Sequence, residues 1–426
     1  MKPILAAGFL TILFASNAHA TIRGPLEKIL VRPPAVASID SQSLPLRVHY
    51  QENVSIEYAQ TILNTAEIAW TKMFVEMAFL EPLADNGEGG SKAFDLYIVT
   101  NLQAGIGGYT SFSGFNEDTP RQDAFGFTVF AHDLKTKYLR GVVAHELFHA
   151  SQMASDWWED IAFMEASATW IVDHVFDDEN LYWKYYSYYN RQPWKALDFI
   201  SLADPYQYGS GMFLQFLDER YGSGDGSFVR LIWENSVQND MINEPDYFDA
   251  IEDLLLERGS SFDAAFHEFG SWRFFVGTRD DGRHFAEGAE WGEEMLVPFA
   301  ADVYWNGKDS QSGIFEKPMQ PYSHSFMRIV SNSKSGKDLP AKINLTTTPE
   351  TRLQIKWLVR SGSATVCQGD SAVLLGGGVF GLLEGCDLPL GGLEVYELIL
   401  YVSNLADGKY DTESPVWTES PIFWNF

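Results

Sequence analysis

The stretch Val143-Ala144-His145-Glu146-Leu147-Phe148-His149-Ala150 sets two histidines four positions apart among apolar residues. A helix that starts near Lys135 is predicted to carry this stretch. In an α-helix, that spacing places both imidazoles on one face, about 6 Å apart along the axis. Two imidazoles in this arrangement can bind one Zn²⁺. Glu146 is offset around the helix, where its carboxylate can take a proton from a metal-bound water.

A zinc site of this kind needs a third protein ligand and an open position for water. The carboxylates downstream of His149 are Glu159, Asp160, Glu165 and Asp173. Glu165 is favoured because it lies in the next amphipathic run, whose small alanines would let two helices approach closely. Burying Glu165 without a partner would be costly, and the alternative is an exposed or ion-paired glutamate. Asp160 is better explained as the N-cap of that second helix.

These motifs resemble those of a known group of enzymes. The pattern His145-Glu146-x-x-His149 followed by Glu165-Ala-x-Ala-x-Trp170 is similar to that of the gluzincin (thermolysin-like) zinc metallopeptidases. The similarity is closer to secreted bacterial metallopeptidases in which His-Glu-x-x-His-Ala-x-Gln precedes a Trp-rich turn. The resemblance implies Zn²⁺ as the cofactor, the two histidines and Glu165 as its ligands, and Glu146 as the general base. It also implies a thermolysin-like catalytic domain, in which a small mixed sheet and the active-site helix are joined by a helical subdomain.

Three further site residues follow from the resemblance. Gluzincins of several branches place a tyrosine from a later helix beside the oxyanion, and Tyr208 is the candidate for that catalytic role. Its alternative is an aromatic residue that only packs the core. Thermolysin-like enzymes have an acidic residue four positions after the glutamate ligand, where this chain has Thr169. Thr169 and Asp173, one turn later, are therefore the candidates for orienting a ligand histidine.

The run Ala124–Phe130, just before the active-site helix, has the pattern of a strand. If it lies at the edge of a sheet, Phe127, Thr128 and Val129 would bind an extended peptide by strand addition. We therefore expect a protein or peptide substrate.

Residues 1–20 have the pattern of a secretory signal. One charge at Lys2 precedes an apolar run from Ile4 to Phe14, and Ala18-His19-Ala20 is a small-x-small cleavage site. The apolar run is too short to span a bilayer. A secreted or periplasmic protein, cleaved after Ala20, is predicted. In an oxidising compartment, the pair Cys367 and Cys386 is most simply a structural disulfide.

Composition and the patterns of apolar residues and turns predict an α+β fold with several segments. Of the 426 residues, 46% are hydrophobic, which predicts a large core. The formal charge of −28 makes nucleic acid and anionic membrane surfaces poor partners, and neither a nucleic acid nor a membrane is expected as one. Residues 21–45 are proline-rich and are predicted to form an extended arm or a short pro-segment. A zinc metallopeptidase domain is expected over residues 46–295. Frequent turns and alternating apolar residues predict an antiparallel β-sandwich over 296–426.

The predicted function is a secreted zinc-dependent endopeptidase, and two alternatives stay open. One is a zinc hydrolase of a non-protein substrate, which would use the same ligands. The other is a catalytically inactive secreted binding protein or adhesin. The presence of Glu146 argues against the inactive protein, because Glu146 binds no metal and its simplest purpose is proton transfer.

Overall fold

The computed structural model describes residues 31–103, 105–180, 182–237, 243–305, 307, 310–331, 339–383, 386, 396–406 and 417–426. The predicted signal sequence and its cleavage site at Ala20 lie outside these residues. Tertiary contacts divide the chain into two compact units, Met1–Tyr186 with Ile200–Gly259 and Ser187–Phe199 with Ser260–Phe426. The fold is α+β: helices predominate in the middle of the chain and strands toward its C-terminus.

The helices occupy the segments α1 (Ile56–Trp70), α2 (Thr136–Ser155), α3 (Ile161–Val175), α4 (Trp183–Asn190), α5 (Tyr206–Gly209), α6 (Gly211–Tyr221), α7 (Ser227–Asn235), α8 (Tyr247–Glu257) and α9 (Phe262–Phe274). A π-helical turn, Thr71–Glu76, continues α1. Capping explains where several of them begin. Ser55 accepts from the backbone N–H of Tyr58 at the start of α1, and Asp160 caps α3 as predicted.

The first unit is built on a small mixed sheet. Its strands are β1 (Ala37–Asp40), β2 (Leu46–Tyr50), β3 (Phe94–Val99), β4 (Gly108–Phe115) and β5 (Ala124–Ala131). They are ordered β1-β2-β3-β5-β4, with β2, β3 and β5 parallel and the two outer strands antiparallel to their neighbours. The helix α2 packs on β4 and β5, and α3 packs on α2. The candidate zinc-binding helix therefore lies directly against the antiparallel edge of the sheet.

The described part of the predicted arm belongs to the folded unit. Strand β1 pairs with β2, and Arg32 reaches three carboxylates. Its guanidinium lies 2.6 Å from Asp85 and 3.0 Å from Glu88, and it also pairs with Asp95. Both aspartates are buried, so the arm is held by charges that have little contact with water.

Strands of the second unit form two sheets over one core. The strands are β6 (Ala301–Trp305), β7 (Ser312–Ile314), β8 (Ser323–Ser331), β9 (Lys342–Thr346), β10 (Arg352–Ser361), β11 (Ala364–Asp370), β12 (Leu374–Leu375), β13 (Gly377–Gly381), β14 (Tyr396–Asn404) and β15 (Phe423–Asn425). One sheet has the order β11-β10-β14-β8-β6, with β12 also on β10, and the other β13-β9-β15-β7. Apolar residues of both sheets share a hydrophobic cluster, as in a sandwich. The prediction of a purely antiparallel sandwich is corrected at one pair, because β6 runs parallel to β8.

The helix α9 belongs to the second unit, although residues up to 295 were assigned to the catalytic domain. Its His267 Nδ1 lies 2.7 Å from Ser403 Oγ, and Ser271 Oγ lies 2.9 Å from the hydroxyl of Tyr401, both on β14. These contacts join the helix to the sheet and place the unit boundary at Gly259–Ser260. The helical periodicity of residues 262–276 led to their assignment to the predicted metallopeptidase domain. Periodicity indicates the type of an element but not the element that it packs against.

Two other expectations concern the cysteines and the membrane. Cys367 and Cys386 are brought to disulfide distance, with their Cα atoms 5.9 Å apart. Within the described residues, no helix combines the length and the apolar character that crossing a bilayer requires.

Candidate metal centre

Three side chains from α2 and α3 converge at the crossing of these helices. Oε2 of Glu165 lies 3.3 Å from Nε2 of His145 and 3.7 Å from Nε2 of His149. The two Nε2 atoms are 2.9 Å apart. One donor atom from each of the three residues lies within 4.8 Å of the others, so this group could hold a metal ion. The other carboxylates considered as third ligand, Glu159 and Asp160, are not part of it.

Burial sets the charge state of this group. It lowers the pKa of His149 to about 3 and holds that of His145 well below its usual value. It raises the pKa of Glu165 well above the usual value, and the nearby Glu146 raises it further. Both imidazoles are therefore neutral at neutral pH, which leaves a nitrogen lone pair on each for a cation. A cation would also offset the cost of ionising Glu165 in this buried position.

Gln152 orients one of the two histidines. Oε1 of Gln152 lies 2.6 Å from Nδ1 of His149, and Nε2 of Gln152 donates to the backbone oxygen of Met164 at 2.8 Å. Because a backbone oxygen only accepts, the amide orientation is set, and Nδ1 of His149 carries the proton. Nε2 of His149 is then the acceptor that faces Glu165. The backbone of Ala168 lies near His145 and acts to raise the pKa of that histidine against the effect of burial.

This finding corrects the role expected of Thr169 and Asp173. Nδ1 of His149 lies against Gln152 instead. Thr169 is buried on α3, and its hydroxyl has no hydrogen-bond partner in the described part of the chain. Asp173 lies two turns beyond Glu165, roughly 12 Å further along the helix axis. That distance is too large for its carboxylate to contact the candidate ligands.

Glu146 lies beside the candidate metal-binding group without joining it. Thr110 of β4 places its hydroxyl 2.7 Å from the backbone oxygen of Glu146 and 3.1 Å from its Oε2. The other carboxylate oxygen, Oε1, has no hydrogen-bond partner among the described residues. Burial raises the pKa of Glu146 well above its usual value, and the Thr110 contact opposes that shift. A carboxylate whose proton affinity is raised in this way is suited to accept and return a proton.

The strand expected to bind substrate is not at the edge of the sheet. Strand β5 is paired on both sides, with β3 and with β4. Phe127, Thr128 and Val129 are fully buried, so strand addition at these residues is ruled out. Thr128 has another role, since its Oγ1 lies 2.9 Å from that of Thr110, which contacts Glu146. Among the strands that the structure describes, the one at the edge of the sheet next to α2 is β4.

Tyr208 of α5 lies in the same site. Its ring centroid is 6.1 Å from that of His145, and its hydroxyl is hydrogen-bonded to Glu165. Burial raises the pKa of Tyr208 well above its usual value, so the hydroxyl keeps its proton and acts as a donor. The structure thus brings together His145, Glu146, His149, Glu165 and Tyr208, which all came from the sequence.

Two residues of the site were not anticipated from the sequence. Gln152 stands one turn after His149, and that spacing could have identified it as the partner of the imidazole. Thr110 carries no such signal, because its contact with Glu146 depends on how the strand and the helix pack. Comparison with known protein families and with curated proteins finds no match for this chain. The candidate site therefore rests on the geometry of its own residues.

Proposed function

We propose that this chain is a secreted zinc-dependent endopeptidase. The observation that carries the proposal is the arrangement of two neutral imidazoles and a buried carboxylate around one point, with a second carboxylate, Glu146, directly beside it. A purely structural cluster has no need of a second buried acid that leaves one oxygen unbonded. The predicted signal sequence and the paired cysteines support export to an oxidising compartment.

The residues at the site fit zinc. Two histidine nitrogens and one carboxylate oxygen are a ligand set typical of catalytic zinc, which keeps a further position open. Oε2 of Glu165 has no hydrogen-bond partner among the described residues, although it is buried. When bound, zinc acidifies a water molecule and polarises a carbonyl group. Nε2 of His145, Nε2 of His149 and Glu165 would hold the ion.

The chain's own residues then supply the proton transfers. Glu146 accepts a proton from the attacking water on its unbonded oxygen and returns it to the leaving nitrogen of the scissile amide. Thr110 holds the other side of this carboxylate, which fixes its direction. The Tyr208 hydroxyl donates a hydrogen bond to the negative charge that develops on the carbonyl oxygen. Outside that step, the same hydroxyl remains bonded to Glu165.

The open edge of β4 supports an extended peptide as substrate. This strand starts beside the general base, since a Cβ added at Gly108 would lie 3.0 Å from Cγ of Glu146. An extended peptide that added to β4 would satisfy the backbone groups of that edge and pass close to Glu146. The edge of β4 favours a peptide over an ester as the substrate. It would recognise the backbone of a peptide with little selectivity for its sequence.

The test is the variant Glu146→Gln in the full chain, assayed for digestion of casein. We expect it to keep its zinc and to lose at least about a hundredfold in kcat, since proton transfer of this kind contributes about 10²–10⁴. Glu159→Gln is the matched control, because Glu159 is also buried with a raised pKa but lies outside the site. Full activity in Glu146→Gln would exclude the proposed role. Hydrolysis of muropeptides or esters without any hydrolysis of casein would favour a different substrate class.

A further inference from the structure

A small pocket lies beside β8 in the second unit. It encloses about 200 Å³, which is less than the roughly 300–1,000 Å³ of a drug-sized site and leaves room for about one ring. Residues within the segments 191–194, 296–300 and 316–317 line it, together with Ser325 and Phe326 of β8. All of them belong to the second unit, whereas the candidate metal ligands belong to the first. The pocket is therefore built from residues that the proposed reaction does not use.

Backbone hydrogen bonds fix two walls of this pocket to the same strand. His324 donates from its backbone N–H to the backbone oxygen of Pro193 at 2.7 Å. Ala300 donates in the same way to the backbone oxygen of Phe326, also at 2.7 Å. Ser325 lies between these two contacts along β8. Because both walls are bonded to one strand, the pocket is already formed without a ligand.

Ser325 brings an unbonded hydroxyl to the pocket. Its side chain is 1% exposed, and the hydroxyl has no hydrogen-bond partner among the residues that the structure describes. A buried hydroxyl in this state is unfavourable, and such groups usually have a partner. Since Ser325 lines the pocket, a ligand bound there would supply that partner.

Trp194 supplies an aromatic surface. Its side chain is partly exposed, and its ring contacts no other aromatic ring and no cation in the described part of the chain. The backbone oxygen of Trp194 accepts from Gln320 at 2.9 Å, which fixes this segment. The ring of Phe299 is already occupied, since the guanidinium groups of Arg279 and Arg328 lie 4.9 Å and 5.0 Å from its centroid. Trp194 is therefore the aromatic residue of the pocket that can stack on a ligand.

Charged groups of both signs lie at the rim. Arg191, Glu316 and Lys317 are exposed, and all three line the pocket. Within the described ranges, their side chains form no hydrogen bond or ion pair with another residue. The backbone N–H of Glu316 donates to the backbone oxygen of Ala300 at 3.1 Å, which holds residues 316 and 317 beside that wall. The rim thus offers hydrogen-bond donors and an acceptor to a ligand.

We propose that this pocket binds one neutral pyranose sugar unit, which stacks on Trp194 and forms a hydrogen bond with Ser325. The ring of a pyranose carries C–H groups that suit an aromatic surface, and each of its hydroxyls both donates and accepts. An apolar ring would leave Ser325 unbonded, and a small anion would meet the like charge of Glu316. The site goes beyond the proposed peptidase activity, and its occupancy does not depend on that activity.

The test is a saturation-transfer NMR titration of the full chain with the methyl glycosides of glucose, galactose and mannose. We expect at least one of them to saturate with a Kd of about 1 mM, as is typical of a ligand of this size. Cyclohexylmethanol has a ring of similar size with a single hydroxyl, and cyclohexanecarboxylate adds a negative charge to such a ring. Each is expected to bind at least about fivefold more weakly than the best glycoside.

Variants assign the contacts. Trp194→Ala should weaken glycoside binding about tenfold, and Ser325→Ala about fivefold. Ser325→Ala should also melt at or above the temperature of the parent, because it removes a buried hydroxyl that has no partner among the described residues. The control is Tyr304→Ala, which removes an exposed aromatic side chain of β6 outside the pocket and should bind like the parent.

Three results would overturn the proposal. The first is that no glycoside saturates below about 20 mM. The second is that cyclohexylmethanol binds as tightly as the best glycoside, which would indicate an apolar pocket alone. The third is that Trp194→Ala and Ser325→Ala both bind the glycosides like the parent. Because the titration needs no catalysis, each of these results leaves the proposed peptidase activity to its own test.

Discussion

The amide of Gln152 links the two helices that supply the candidate metal ligands. Its oxygen lies 2.6 Å from Nδ1 of His149 on α2, and its nitrogen donates to Met164 and Ser167 on α3. Glu165 directly follows Met164. One side chain therefore fixes the direction of a candidate histidine ligand and the position of the helix that carries the candidate carboxylate ligand.

Replacement of Gln152 should weaken metal binding. Loss of a group that orients a ligand typically costs 10–100-fold in metal affinity, and we expect about that loss for Gln152→Ala. Competition with a fluorescent zinc chelator measures it. Ser167→Ala is the control, because it removes the 3.0 Å contact on the far side of the amide, together with the hydroxyl's own bond to the backbone of Phe163, and leaves His149 bonded. An unchanged zinc affinity in Gln152→Ala would show that His149 is oriented by something else.

Tyr208→Phe separates two roles of the tyrosine. The hydroxyl is bonded to Glu165, and in the proposed reaction it donates to the developing negative charge. Removing one such donor should lower kcat about 10²-fold with little change in KM or zinc content. Steady-state kinetics with a fluorogenic peptide, combined with metal analysis, gives all three values. A loss of zinc at unchanged kcat per bound zinc would instead assign Tyr208 to positioning Glu165.

Local features of the sequence predict much of the site. The four-residue spacing of His145 and His149 is enough to place them together on a helix, because helical periodicity is a local property. Asp160 was correctly assigned as an N-cap for the same reason. The convergence of Glu165 on the histidines required a second helix to return, and the alanines around it made that return sterically possible.

Non-local packing explains what was missed. Strand β5 was expected at an edge, but β4, which precedes it in the chain, pairs with its outer side. The order of strands in a sheet is not encoded in the alternation of one strand, so a mostly apolar run such as Phe127–Phe130 is equally compatible with a central position. The assignment of α9 to the predicted metallopeptidase domain has the same cause. The sequence pattern of a helix does not show which sheet it packs on.

The buried ion pairs of Arg32 should stabilise the first unit. Asp85 and Asp95 are both buried, and removing their cation leaves Asp85 without a compensating charge and Asp95 with its 2.7 Å contact to His49. Breaking a buried pair in this way typically costs about 3–5 kcal/mol, which is the loss we expect in the free energy of unfolding for Arg32→Gln. Urea denaturation measures it. Arg47→Gln is the matched control, since Arg47 pairs with the half-exposed Asp40 and should cost less than about 1 kcal/mol. Equal effects of the two variants would show that the arm is not held by these charges.

The same cluster predicts a pH dependence. Burial raises the pKa of Asp85 to about 6, although Arg32 acts to lower it. Because the folded state binds this proton more tightly than the unfolded chain, the associated stability is present below pH 4 and is lost as the pH rises through about 6. Asp85→Asn cannot ionise, so its melting temperature relative to the parent should rise between pH 4 and pH 7. A difference that stays constant over this range would contradict the shift.

The zinc content of the purified full chain tests the account's central claim most directly. Mass-spectrometric metal analysis after dialysis should find about one zinc per chain in the parent and in Glu146→Gln. His149→Ala and Glu165→Ala should contain almost none, because each removes one of three ligands. A parent protein that takes up no zinc, or ligand variants that retain the parent's zinc content, would contradict it.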